Sequence, residues 1–151
     1  MRNILYFDEE GYVTGGDLTG VTKLTSALWS KYNLPILDIP MPNLVHSERL
    51  AADNSYITEV HTNLSKLQQA REAFRGCYTL KHVEHGFPSL VEADSMFHSC
   101  ALPAEEIDKI LESLPSYTDG PDKHRIGFTG CPGCATCHPE IGRNKGWNVV
   151  L

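Results

Sequence analysis

A 23-residue period constrains this chain more than any other feature. Leu67, Ala70, Phe74 and Cys77 return, 23 positions later, as Leu90, Ala93, Phe97 and Cys100. One period earlier, Leu44, Ser47, Ala51, Asn54, Ile57 and Val60 occupy the slots that Leu67, Ala70, Phe74, Cys77, Leu80 and Val83 fill afterwards. A first unit, Leu24, Ala27, Asn33, Ile36 and Ile39, fits if it is two residues shorter. Self-similarity at such a period marks units that cannot bury an apolar face alone and must stack on one another.

Within each unit the apolar residues fall at i, i+3 and i+7, then in a short extended segment. This predicts a helical half followed by a turn and a strand. Stacking would lay the strands side by side, about 4.8 Å apart, as a parallel sheet with helices behind it. The junction residue is Asn54 in one unit and Cys77 and Cys100 in the next two. A small side chain that is apolar enough to bury, or able to bond loop backbone, suits a turn that points inward at every level.

The rest of the chain sets bounds. Its 151 residues suffice for one domain, burying roughly two thirds of the unfolded surface. Hydrophobic content of 41% and charged content of 21% are those of a globular protein. A net charge of −6 with scattered Lys and Arg argues against nucleic acid as a partner. The opening MRNILYFDEEGY has too short an apolar run for a signal-peptide core or a membrane span. No export is therefore expected, and the five cysteines do not read as a secreted disulfide framework.

The stretches AFRGCYTLKHV and SMFHSCAL resemble the repeat core of BspA-like, or treponemal-type, leucine-rich-repeat proteins. The likeness covers residues 18 to 102, with the units at 21 to 62 matching in spacing alone. The tail, with its strand, loop, small helix and KGW-initiated last strand, is similar to the closing segment of short repeat proteins of phages and gut bacteria. The resemblance implies an α/β fold: a short leucine-rich-repeat solenoid with a parallel sheet on one face, helices on the other, and terminal caps. On this division residues 1–20 form an N-terminal cap, 21–102 about four repeats of 21–23 residues, and 103–151 a C-terminal cap. The resemblance further implies a non-enzymatic binding or virion-associated module and brings no catalytic residues. Its expected location is a virion or the cytoplasm, with assembly into a larger particle in view.

The caps carry their own signals. PAEEIDKILESLP has Pro at its start, acids early, and apolar residues at Ile107, Ile110, Leu111 and Leu114, which predicts an amphipathic helix over the last repeat. HRIGFTG and WNVVL read as closing strands, and NILYF with GYVTG as an opening strand or hairpin.

Two constellations bear on chemistry. CPGCATCH holds Cys131, Cys134, Cys137 and His138, a spacing compatible with c-type haem attachment, an iron–sulfur loop or zinc. A metal-binding or redox protein, with zinc as cofactor, is thus the alternative to a cofactor-free binding module. The competing reading is a Gly- and Pro-rich turn with small inward cysteines and Pro139 in the first turn of a helix.

The second constellation lies on the stacked strands. With Ile36, Ile57 and Leu80 level, Asp38, Glu59 and His82 would form one outward column, and Pro40, His61 and Glu84 the next. Asp38, Glu59, His61, His82 and Glu84 are therefore the candidate binding residues, presented to a protein or a cell-surface carbohydrate. A hydrolase using this His and acid ladder is a further rival. G-x-S-x-G, P-loop and G-x-G-x-x-G motifs are absent from the sequence.

Overall fold

The computed structural model describes residues 3–151, so the first two residues of the expected N-terminal cap lie outside the described residues. The fold is mixed α/β, with parallel sheets and few helices. Among the described residues ten short strands occur: β1 Ile4–Phe7, β2 Val13–Asp17, β3 Lys23–Thr25, β4 Ile36–Leu37, β5 His46–Glu48, β6 Glu59–Val60, β7 Gln69–Arg71, β8 His82–Val83, β9 Arg125–Gly127 and β10 Asn148–Val150. The two α-helices are α1, Ala104–Ser113, and α2, Glu140–Arg143. None of the described helices is long and apolar enough to cross a membrane.

The period governs strand pairing. Lys23 pairs with His46 and His46 with Gln69, all in parallel, so β3, β5 and β7 form one ladder at the 23-residue offset. Bridges from Gln69 to Glu92 and from Ala93 to Ile126 lead on to β9, which pairs in parallel with β10. A second ladder joins β4, β6 and β8, with Ile36 opposite Glu59 and Glu59 opposite His82. The first unit is therefore not shortened. Its period-matched residues are Leu24, Leu28 and Leu37, at the full offset from Ser47, Ala51 and Val60.

The helices expected behind the sheet are not formed; each of the first three units contributes two short strands and a run of turns instead, and the fourth only bridges and turns. The reason lies in where the backbone amides go. An α-helix spends each N–H on the carbonyl four residues back in the same segment. Here alternate amides donate sideways to the next unit: Ala51 to Ala73 O, Asp53 to Arg75 O, Phe74 to Met96 O and Gly76 to His98 O, at 2.8 to 2.9 Å. The intervening amides close tight turns, as Ala73 N–H does on Ala70 O and Cys77 N–H on Phe74 O. Successive three-residue turns bring Ala70, Phe74 and Cys77 to one face, so their spacing mimics helical periodicity.

This path needs left-handed backbone at two places per unit. Ser26, Arg49, Glu72 and Ser95 hold the first, with φ between 51° and 55°. Ser30, Asp53, Gly76 and Ser99 hold the second. Such conformations cost non-glycine residues of order 1 kcal/mol each, and they persist where surrounding bonds fix them.

The interior is one continuous cluster from Val13 to Val149. Leu28, Ala51, Phe74, Phe97 and Phe128 are fully buried. The rings of Phe74 and Phe97 stack at 5.7 Å and those of Phe97 and Phe128 at 5.5 Å. Beside this column runs a column of polar contacts. Asn54 Nδ2 donates to Leu28 O and Ala51 O, while its Oδ1 accepts Tyr32 N–H. Cys77 Sγ donates to Ala51 O, Cys100 Sγ to Phe74 O and Cys131 Sγ to Phe97 O, at 3.1 to 3.2 Å. Four successive carbonyls at one repeat position thus receive a bond from the small side chain of the following level. Burial pushes the Cys77 thiol up to about 12 and Cys131 up to about 11, so these groups remain protonated donors at neutral pH.

The ends close the stack as the sequence predicts. β1 and β2 form an antiparallel hairpin. Helix α1 lays Ile107, Ile110 and Leu111 over the last full repeat. β9 and β10 follow, and Trp147 is buried with Nε1–H on Pro115 O at 2.8 Å.

Replacing Phe74 by Ala is expected to cost about 3–5 kcal/mol in denaturant unfolding, because the ring is fully buried between levels. Asn54→Ala leaves the Tyr32 amide without its partner and takes one bond from each of Leu28 O and Ala51 O, which keep Lys31 N–H and Cys77 Sγ, and should cost about 1–3 kcal/mol. Cys77→Ala, which removes one weak donor, should cost less than Asn54→Ala in the same titration.

Candidate functional site

In the second ladder, alternation along each strand sends Leu37, Val60 and Val83 inward and leaves their neighbours outside. The register corrects the expected columns. Ile36 lies level with Glu59 and His82, so Asp38 falls in the row of His61 and Glu84 rather than beside Glu59. His61 sits between two carboxylates, with Nε2 at 3.3 Å from Glu59 Oε1 and Nδ1 at 3.3 Å from Glu84 Oε2. Its ring meets that of His82 edge to face, at 6.4 Å between centroids. Glu84 also approaches His85 Nε2 at 3.9 Å. Asp38 is exposed in the same row and forms no ion pair among the described residues.

The structure adds a residue that strand periodicity could not supply. Helix α1 brings Glu106 against His82, Nδ1 to Oε1. Glu106 is buried, its Oε2 accepts no hydrogen bond, and Lys109 Nζ stands 3.8 Å from that oxygen. The sequence places Glu106 in the first turn of an amphipathic helix. It does not reveal which strand that turn crosses. Four of the five predicted residues are thus joined by side-chain contacts into one half-exposed patch of imidazoles and carboxylates. Such a patch offers donors and acceptors to a polar ligand. Neither His61 nor His82 is hydrogen-bonded to a serine, threonine or cysteine among the described residues.

The loop from Cys131 to His138 has a different use. Cys131 continues the interior column, Cys134 Sγ donates to Phe128 O at 3.0 Å, and Cys137 Sγ lies 4.0 Å from Cys134 O. Residues Pro132–Ala135 form a single 3-10 turn. A Cβ on Gly133 would stand 2.4 Å from backbone atoms of Pro103 and Ala104, so glycine lets the turn press against the start of α1. His138 clamps the other side of that helix. Its backbone N–H and Nδ1 meet the two oxygens of Asp108, each at 2.8 Å. Pro139 precedes α2 as its N-cap. Cys131, Cys134, Cys137 and His138 therefore do not fit a shared metal. No group of three or more His, Cys, Asp or Glu among the described residues is arranged to hold one.

Comparison of the chain with protein-family models, with curated proteins and with solved structures gives no match.

Asp108 raises the pKa of His138 above its ordinary value, first through their hydrogen bond and then through charge attraction. The folded state thus favours the protonated ring. The pair's contribution is complete at pH values below the ordinary histidine value and is lost as pH rises through the raised one. A proton NMR titration should place the His138 midpoint above 6.5, and Asp108→Asn should bring it back down. An unchanged midpoint in the variant would mean that the clamp is not formed in solution.

Proposed function

We propose that this chain is a non-enzymatic binding or structural module of the BspA-like leucine-rich-repeat type, a short solenoid that presents a rigid repeat face to a protein or cell-surface carbohydrate. The observation that carries this reading is the His61 row. His61 is held between Glu59 and Glu84, one strand apart, on backbone whose register is fixed by the interior columns. A surface ordered before binding loses little conformational entropy on contact, which favours recognition by a preformed face. Half-exposed carboxylates and imidazoles supply hydrogen-bond specificity without a deep pocket. The periodic interior and the capped ends fit a small component made to sit in a larger assembly, and on this reading its place is a virion or the cytoplasm of the cell that builds it.

Photo-crosslinking in producing cells tests the proposal. A benzophenone side chain introduced in place of Glu84 should yield a covalent adduct of discrete mass. The same group in place of Glu9, on the opening hairpin, should not. Equal adducts from both positions, or none from position 84, would contradict recognition through this face.

A further inference from the structure

A groove of about 340 Å³ lies along the turn edge of the repeats and shares no lining residue with the histidine and carboxylate face. It arises from the period itself. One repeat position is filled successively by Trp29, Ala52, Arg75 and His98, and the next by Ser30, Asp53, Gly76 and Ser99. Ala52 and Gly76 are the smallest residues of their columns, and they sit on adjacent levels. Large side chains stand to either side, so the two small ones leave a hollow with Trp29 at one end and His98 at the other.

The walls have a definite chemistry. Trp29 and Tyr78 are 47% and 66% exposed, among the most exposed large hydrophobic side chains. The indole is not loose, because its Nε1–H donates to Asp53 Oδ2 at 2.8 Å. Asp53 leans over Gly76, where a Cβ would lie 2.2 Å from Asp53 Oδ1. Opposite, Glu72 is buried and holds Arg75 Nη1 at 2.9 Å and Arg49 Nε at 3.6 Å. Each guanidinium carries five N–H donors, so both keep donors free to face the groove.

The formal charges of the lining cancel, with Arg49 and Arg75 set against Glu72 and Asp53. An anionic ligand would meet as much repulsion as attraction there. An apolar ligand would desolvate guanidinium and carboxylate groups without return. A neutral ring with an apolar C–H face and a rim of hydroxyls suits these walls: the face can stack on exposed aromatic rings, while hydroxyls can donate to Asp53 and accept from Arg49, Arg75 or His98.

We propose that this groove is a binding site for an uncharged carbohydrate chain. Asp53 also borders a neighbouring hollow of about 220 Å³ that includes Tyr12 and the exposed Tyr56, which gives room for a second sugar ring. This site is independent of the reading offered for the histidine face, and either can fail without the other.

Tryptophan fluorescence tests it directly, since Trp147 is 1% exposed and Trp29 is the only other tryptophan. The full chain would be titrated with chitohexaose, cellohexaose, maltohexaose and mannohexaose. At least one should give a saturable change that persists in about 0.5 M sodium chloride. Tyr78→Ala, a surface change whose folding is checked by thermal unfolding, should weaken that binding about tenfold. Three results would overturn the proposal: no response to any of the four sugars, an equal response in Tyr78→Ala, or a response confined to oligogalacturonate and abolished by salt. The last would mark an anion site instead.

Discussion

One interaction recurs at four successive levels of this molecule and ties each to the level before it. A small buried side chain donates to a backbone carbonyl of the preceding unit: Asn54 to Leu28 O, Cys77 to Ala51 O, Cys100 to Phe74 O and Cys131 to Phe97 O. Each of those carbonyls belongs to a turn whose amides already serve a neighbour. Leu28 O, Phe74 O and Phe97 O each also accept a turn amide, from Lys31, Cys77 and Cys100, so the side chain of the next level fills the second acceptor site of a buried carbonyl. From Asn54 onward, one position per unit carries a side chain long enough to reach that site yet small enough to fit beside the aromatic column. Asn meets the need with three bonds and Cys with one.

The same bonds explain the molecule's outer edges. Because alternate amides are committed sideways, the chain must turn back within three or four residues. It does so through the left-handed positions at Ser26, Arg49, Glu72 and Ser95 and at Ser30, Asp53, Gly76 and Ser99. These positions form columns along one edge, where Arg49, Glu72 and Asp53 line a groove. On another side, strand alternation aligns Glu59, His61, His82 and Glu84. Interior periodicity thus becomes surface periodicity, and two chemically different strips are held by one core. Buried Glu72 shows the link. Burial alone would push its carboxyl up, yet the hydrogen bond from Arg75 and the charges of Arg49 and Arg71 hold it below the ordinary value.

Much of this was legible in the residues. The period, the inward Phe and Cys positions, the opening hairpin, helix α1 and the closing strands can all be read from apolar spacing and cap chemistry. Apolar spacing predicts helices behind the sheet where turns are found, because successive tight turns and an α-helix both return apolar residues at intervals of three and four. What distinguishes them is the destination of the amides, and side-chain patterns do not record it. The first unit aligns wrongly on sequence for a related reason: Lys31 stands in the slot of Asn54 and Cys77, and Asn33 is the residue that matches them in type. Cys131 stands beside Cys134 and Cys137 in sequence but continues the column of Cys77 and Cys100 in space. The insertion of α1 hides that kinship. In the candidate site, His61 and Glu84 followed from strand alternation. Glu106 did not, since its contact with His82 depends on how a helix crosses a strand.

Native-state hydrogen exchange measures the central claim most directly. If the side-chain-to-carbonyl column and the lateral amide bonds hold the levels together, the amides of Ala51, Phe74 and Phe97 will exchange slowly and with a common opening free energy. Those of the opening hairpin will exchange faster. Exchange of Ala51, Phe74 and Phe97 at the rates of unprotected amides, or at unrelated rates, would show that the levels are not locked to one another.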